Sequence, residues 1–136
     1  MKKNQIRCPY CGATAVLRDA SYIHGDRSRG GLVYVCSRYP ACDSYVGVHQ
    51  GTILPKGSLA NRELRSKRIQ AHKVFDLLWE KGIFTRDEAY RWMTDKFCLT
   101  RSQAHIGCFS SYMCDQLILE SQKVLQNNHV FLQAAG

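Results

Sequence analysis

The sequence lacks the short motifs that mark the common catalytic sites. It contains no H-E-x-x-H pair of a zinc protease, no P-loop and no G-x-S-x-G nucleophile turn. Carboxylates are few in the first half, where Asp19, Asp26 and Asp43 lie among arginines at no spacing that suggests a metal or acid–base pair. These absences favour a protein that binds its target over an enzyme that transforms it.

Long apolar runs are missing as well. No stretch approaches the roughly 20 apolar residues of a membrane span, and the segment MKKNQIRC lacks the apolar core of a secretory signal. The chain has seven cysteines, an odd number that does not suit a complete disulfide framework. We therefore expect a cytoplasmic protein with reduced thiols and no membrane partner.

Four of the cysteines occur in two short turns, CPYCG and CSRYPAC, which supply Cys8, Cys11, Cys36 and Cys42. Two such turns that face each other can offer four thiolates at the tetrahedral geometry of a closed structural Zn²⁺ site. Gly12 suits the backbone reversal that follows the first pair. A segment this short buries little core, so a metal would supply much of its folding free energy. The pattern predicts one structural zinc ion on these four cysteines.

The other cysteines lack ligand spacing. Cys98, Cys108 and Cys114 could join His105 in a second metal site, but no C-x-x-C turn is among them. Cys98 and Cys114 also fall on apolar faces of predicted helices. We expect these three cysteines to lie in the core.

The order of apolar patterns predicts an α+β fold, with a small zinc ribbon of short antiparallel strands followed by three to four helices. The expected strands are Ala13–Leu17, Ser21–His24, Gly31–Val35 and Ser44–Val48. A long amphipathic helix is expected from Leu59 to about Lys81, with Ser58 as its N-cap. The predicted organisation is a ribbon at 5–50, a linker at 51–57, a helical domain at 58–125 and a flexible tail at 126–136.

Two capping-box patterns mark later helix starts. T-R-D-E begins at Thr85 and opens a helix through about Phe97, and T-R-S-Q begins at Thr100 and opens a short turn. Ser110 or Ser111 is expected to cap the last helix.

Positive charge is concentrated in the first half. The net charge is +8. Residues 1–73 hold 13 Lys and Arg against 4 Asp and Glu, a balance of +9, whereas residues 74–136 hold 6 against 7, a balance of −1. This asymmetry is a common footprint of a polyanion partner, most often nucleic acid. The alternative is a charged surface that serves solubility alone.

Tyrosines alternate with arginines along the ribbon, and together they can stack on bases and neutralise phosphates. Tyr39 lies beside Arg38 at the tip of the second turn and is expected to be exposed. On the first long helix, Arg62 and Lys73 lie three turns apart with Arg65 flanking them, so this helix either follows a phosphate backbone or faces solvent. The candidate nucleic-acid-binding residues are Arg7, Tyr10, Arg18, Arg27, Arg29, Arg38, Tyr39, Arg62, Arg65 and Lys73.

Residues 8–48 closely resemble the C-terminal zinc ribbons of type IA topoisomerases, which have the form C-P-x-C-G, a short hairpin and C-S-x-Y-P-x-C. The resemblance implies that the four cysteines bind zinc and that the ribbon contacts single-stranded DNA. Nothing in the chain resembles the catalytic domains of those enzymes, so their activity is not implied.

The stretches Gly51–Trp79 and Ala89–Phe109 resemble a small family of bacterial zinc-finger-containing proteins, often found in phage or prophage. This resemblance extends from the first cysteine turn to about Ile118. It implies a zinc finger followed by a helical part, in a bacterial or phage-infected cytoplasm. It does not imply any activity.

These features predict a non-enzymatic accessory protein that binds nucleic acid, with single-stranded DNA ahead of RNA or duplex and with little sequence preference. The alternative is a phage-encoded protein that binds a host protein, such as a nuclease or a defence complex, and alters its activity. The aromatic residues of the helical half suit protein contacts as well as a core. They are Trp79, Phe84, Tyr90, Trp92 and Phe97.

Overall fold

The computed structural model describes residues 5–130. Its contacts divide the chain into two compact units, Met1–Arg65 and Ser66–Gly136. The first unit contains a small sheet with the cysteine turns and the second contains helices, which confirms the predicted α+β class. The boundary falls inside the longest helix. Within the described part of the chain, no helix is both long and apolar enough to cross a bilayer.

The sheet has three antiparallel strands in the order β1–β2–β3. They are β1 (Ala15–Asp19), β2 (Leu32–Cys36) and β3 (Tyr45–Gly47). On the central strand, Val33 and Val35 are buried because successive side chains alternate between the two faces of a sheet. Cys36 of the same strand is buried on the opposite face with Cys8 and Leu59, so each face of the sheet carries a small cluster.

The segment Ser21–His24 forms a single helical turn, α1, and the predicted strand there is wrong. A carboxylate oxygen of Asp19 accepts the backbone N–H of Ser21 at 2.9 Å, and the carbonyl of Ala20 accepts the N–H of His24 at 3.0 Å. Asp readily closes such local turns through its side chain, so it competes with strand pairing.

The chain from 48 to 56, most of which the sequence suggests as a linker, is hydrogen-bonded to the edge strand. The N–H of Lys56 donates to the carbonyl of Gly47 at 2.9 Å, and Val48 forms an isolated β-bridge with Pro55. We call this segment the 48–56 loop. Its attachment fixes the position of its side chains against β3.

Helix α2 (Arg62–Glu80) begins three residues later than predicted and takes Asn61 as its N-cap in place of Ser58. The side-chain oxygen of Asn61 accepts the backbone N–H at the third helical position at 3.0 Å. The helix starts late because Ala60 still pairs with Tyr45 of the sheet. A long-range backbone contact therefore overrides the local helix signal.

The later helix starts agree with the predicted caps. Helix α3 (Arg86–Phe97) opens with the capping box of Thr85 and Glu88, and helix α4 (Ser111–Asn127) has Ser110 as its N-cap. Two 3₁₀ turns, at 101–103 and 106–108, connect them. The buried apolar side chains of this unit are Ala71, Val74, Phe75, Leu78, Ala89, Met93, Ala104, Ile106, Phe109, Cys114, Leu117 and Leu125.

The predicted flexible tail at 126–136 is described only in part. Its first two residues belong to α4. Residues 131–136 lie outside the described residues.

Candidate metal centre and the residues around it

The first cysteine turn folds the backbone back on itself. The N–H of Cys8 donates to the carbonyl of Ala13 at 2.8 Å, and the N–H of Gly12 donates to the carbonyl of Cys8 at 2.9 Å. Gly12 has φ 78°, a left-handed conformation that glycine adopts without strain. The reversal directs the N–H of Tyr10 at the sulfur of Cys8, at 3.4 Å. A backbone dipole therefore supports negative charge on this sulfur.

The second cysteine turn repeats this arrangement. The N–H of Tyr39 donates to the carbonyl of Cys36 at 2.9 Å, and the N–H of Cys42 donates to the carbonyl of Arg38 at 3.1 Å. The N–H of Arg38 is directed at the sulfur of Cys36, at 3.5 Å. In both turns, the N–H two residues after the first cysteine donates to that cysteine's sulfur.

The two turns bring four sulfurs together. The sulfurs of Cys8 and Cys42 are 3.5 Å apart, as are those of Cys11 and Cys36, and all four lie within 4.8 Å of one another. Four thiolates bound to zinc at about 2.3 Å in a tetrahedron are separated by about 3.8 Å. The observed distances fit such a site.

Four clustered thiols do not ionise readily together, because each thiolate disfavours negative charge on its neighbours. Burial and the neighbouring sulfurs, against the N–H of Arg38, raise the pKa of the Cys36 thiol to about 12. Burial also opposes ionisation of Cys8, but the hydroxyl of Ser44 and backbone N–H groups outweigh it and lower the pKa of that thiol to about 6. A divalent cation offsets this repulsion by stabilising all four thiolates. The donor set therefore suits a metal ion.

Comparison with protein families agrees with this geometry. The model of a family described as a zinc-finger-containing domain matches residues 4–124. The chain belongs to this family. Comparisons with curated proteins and with solved structures gave no significant match.

In this zinc-finger-containing domain, the four sulfurs and the family assignment together fit one structural zinc ion. Its ligands are Cys8, Cys11, Cys36 and Cys42, as predicted. Zinc prefers four ligands, so four thiolates fill its coordination shell and hold the two turns together. A zinc ion with four thiolates carries two net negative charges.

Sequence reasoning missed a fifth residue of the zinc centre. The hydroxyl oxygen of Ser44 lies 3.1 Å from the sulfur of Cys8 and 3.6 Å from that of Cys42, and its residue is fully buried. Since a metal-bound thiolate can only accept, the hydroxyl donates to sulfur when the metal is bound. Ser44 follows the last ligand by two residues, a position that a scan for Cys and His ligands passes over.

We expect Ser44→Ala to weaken zinc binding by about tenfold or more, because a lost hydrogen bond to a ligand typically costs 10–100-fold in metal affinity. Competition against a chromophoric chelator measures this. Ser37→Ala is the matched control, since Ser37 is exposed in the same turn. Equal zinc affinity in Ser44→Ala and wild type would contradict the role given to this hydroxyl.

The three remaining cysteines do not share one environment. Cys114 is buried, as predicted, whereas Cys98 and Cys108 are exposed, so the prediction of core positions is wrong for these two. Cys98 has φ 55° and forms the left-handed C-cap of α3, so it lies just beyond the helix and not within it. Within the described residues, none of the three belongs to a group that could hold a metal.

Most of the candidate nucleic-acid-binding arginines of the zinc-finger-containing domain are exposed. Arg7 donates to the carbonyl of Gly12 at 3.1 Å, and the guanidinium of Arg18 lies 4.9 Å from the ring centre of Tyr22. The exposed members of the predicted set are Arg7, Tyr10, Arg18, Arg27, Arg29, Arg38, Arg62 and Lys73.

The candidate tyrosines differ from expectation. Tyr39 is half-buried rather than exposed, and it packs against the cluster of Ala20, Val33 and Val35. Tyr10 is 44% exposed, but its hydroxyl accepts the N–H of Asn61 at 3.1 Å.

The side chain of Arg65 makes several contacts within the first unit. Its guanidinium donates to the carbonyls of Ala60 and Asp43 at 2.6 and 2.8 Å, and it lies 3.5 Å from the Asp43 carboxylate. It also lies 4.0 Å from the ring centre of Tyr45. These contacts join the second cysteine turn, the sheet and the start of α2. They give Arg65 a structural role that its sequence position did not reveal.

Proposed function

We propose that this zinc-finger-containing domain is a non-enzymatic nucleic-acid-binding protein that prefers an unpaired DNA strand. The observation that carries the proposal is the state of the charges on the ribbon. Its five arginines are exposed, namely Arg7, Arg18, Arg27, Arg29 and Arg38, whereas it has only three carboxylates, and one of these, Asp43, is neutralised by Arg65. The charges left facing solvent are therefore mainly positive.

Exposed aromatic surface supports an unpaired strand over a duplex. Tyr10 and Tyr22 are 44% and 48% exposed. Bases can stack on such rings only when they are not paired within a helix. The resemblance of residues 8–48 to topoisomerase zinc ribbons supports the same proposal.

The zinc ion would have a structural role in this function. It fixes the two cysteine turns, and these set the positions of the arginines on either side. We propose no reaction for this centre, since a shell filled by thiolates offers no position for a reacting water.

The proposal is tested by fluorescence anisotropy of a labelled DNA strand across a salt series. We expect affinity to fall with a log–log slope of about −2 to −3, which corresponds to three or four neutralised phosphates at about −0.7 each. Arg38→Glu should weaken binding about fivefold or more, because it replaces an attractive charge with a repulsive one.

Arg91→Glu is the charge-matched control, since Arg91 is an exposed residue of α3 outside the ribbon. It should leave affinity within about twofold of wild type. Duplex DNA and RNA of the same length serve as competitors. The absence of binding at low salt, or equal losses for the two variants, would overturn the proposal.

A protein partner is the second candidate. Ile69 on α2 and Tyr112 and Leu119 on α4 are large apolar side chains that are exposed in the second unit. Such residues suit a protein contact. The partner would be a host protein if the chain acts in a phage or prophage setting. Retained activity on that partner after charge reversal of Arg38 and Arg62 would favour this candidate over nucleic acid.

A further inference from the structure

The first unit contains an open groove of about 990 Å³ between the basic loop after α1 and the 48–56 loop. Its lining includes Val33 of β2 and Val48 of the 48–56 loop, which are both buried. Cationic residues line it, namely Arg27, Arg29 and Lys56, together with His24. We call this feature the cationic groove.

The charge of the cationic groove has one sign. Among the described residues, none that lines it is Asp or Glu, and none is a zinc ligand. Neither a carboxylate nor a zinc-bound thiolate therefore lines the groove beside its cations, and Asp26, which precedes Arg27 in the loop, is not part of the lining. Arg38, by contrast, lies two residues after the zinc ligand Cys36, and its backbone N–H is directed at that sulfur. An anion would gain more from the groove than from the arginine beside the zinc centre.

The basic side of the groove is a folded loop. Gly30 and Gly31 have φ 86° and 89°, which glycine alone adopts readily in succession. This conformation lets the carbonyl of Gly31 accept the N–H of Ala20 at 2.9 Å, and the N–H of Gly30 donate to the hydroxyl of Ser28 at 3.1 Å. The loop that carries Arg27 and Arg29 is thus held at the end of β1.

The opposite side is fixed as well. The hydroxyl of Tyr34 donates to the carbonyl of Ile53 at 2.7 Å, and the hydroxyl of Thr52 donates to the carbonyl of His49 at 2.8 Å. Ile53 nevertheless leaves 60% of its surface exposed, and it lines the groove. The 48–56 loop therefore places an apolar side chain across the groove from Arg27 and Arg29.

We infer that the cationic groove is the anchoring subsite for an unpaired nucleic-acid strand, with phosphates on Arg27, Arg29 and Lys56 and one base against Ile53. This inference rests on the proposed function and locates it. A nucleotide carries an anionic phosphate beside a flat base, and these two groups match the cations and the apolar side chain of the groove. The groove volume of about 990 Å³ is near the upper end of the range for small-molecule sites, roughly 300–1,000 Å³, so it has room for a nucleotide-sized segment.

The test compares two neighbouring residues of the same loop. Ile53 and Leu54 are 60% and 63% exposed, but only Ile53 lines the groove. Ile53→Asp should weaken binding of the labelled DNA strand about tenfold or more, whereas Leu54→Asp should stay within about twofold of wild type. Lys56→Glu should weaken binding of the strand by a similar factor. It should also make the log–log slope of affinity against salt less steep by about 0.7 to 1.

Zinc content per chain confirms that each variant is folded, and the uncharged pair Ile53→Ser and Leu54→Ser replaces the Asp pair if either one loses zinc. Equal effects at positions 53 and 54, or wild-type affinity in Lys56→Glu, would overturn the groove as the anchoring subsite. The proposed function would still stand in that case, because the wild type binds the strand. Displacement of the strand by inorganic phosphate at equal phosphate concentration would overturn a strand as the ligand. Failure of wild type to bind would reject the proposed function itself.

Discussion

Replacement of one zinc ligand, Cys36→Ser, is expected to abolish stoichiometric zinc binding and to unfold the sheet of the first unit. The apolar core there is small: one cluster is Cys8, Cys36 and Leu59, and the other is Ala20, Val33 and Val35. Two members of the first cluster are themselves zinc ligands. A structural zinc ion contributes about 10–16 kcal/mol of apparent binding free energy, which exceeds what so small a core supplies.

Zinc content and amide NMR spectra of the full chain measure this effect. Signals of the strands should lose their dispersion in Cys36→Ser and after chelation of the wild type, while the helical signal of the second unit should largely remain, because its buried side chains come from its own helices and turns. Cys108→Ser is the matched control, since Cys108 is exposed and belongs to no metal-ligating group among the described residues. A sheet that survives chelation would show that zinc is not needed for this fold.

The features that the sequence predicted correctly are those encoded locally. The capping boxes at Thr85 and Thr100 and the N-cap at Ser110 each depend on residues within three positions, and the structure contains all of them. The zinc ligands were also predictable, because two short turns of fixed spacing carry them. No long-range information is needed for either.

The features that were missed depend on contacts distant in sequence. Helix α2 starts late because Ala60 pairs with Tyr45, and Ser44 is recognisable only once the first turn has brought Cys8 beside it. The misplaced strand at 21–24 has a different cause, since the side chain of Asp19 closes a local turn that competes with an extended conformation. At the start of α2, tertiary pairing outweighed the apolar pattern, and at 21–24 a side-chain hydrogen bond did so.

The structural role of Arg65 leads to the second large expected effect. Arg65→Ala should lower the free energy of unfolding of the first unit by about 2–3 kcal/mol, because two carbonyls lose a charged donor and the ring of Tyr45 loses a cation. Chemical denaturation followed through sheet signals of the zinc-loaded protein measures the loss. Arg62→Ala is the matched control, since Arg62 is an exposed arginine on the same helix.

Arg65→Lys separates a structural role from phosphate binding. Lysine keeps the positive charge but lacks the planar fork that reaches two carbonyls and lies flat on a ring. If Arg65 stabilises the fold, Arg65→Lys should lose about half or more of the stability lost in Arg65→Ala, and it should bind the DNA strand like wild type while folded. If Arg65 instead contacts phosphate, stability should be unchanged in both variants, and only Arg65→Ala should weaken binding. Because Arg65 was among the predicted nucleic-acid-binding residues, this comparison decides whether its charge serves the ligand or the second cysteine turn.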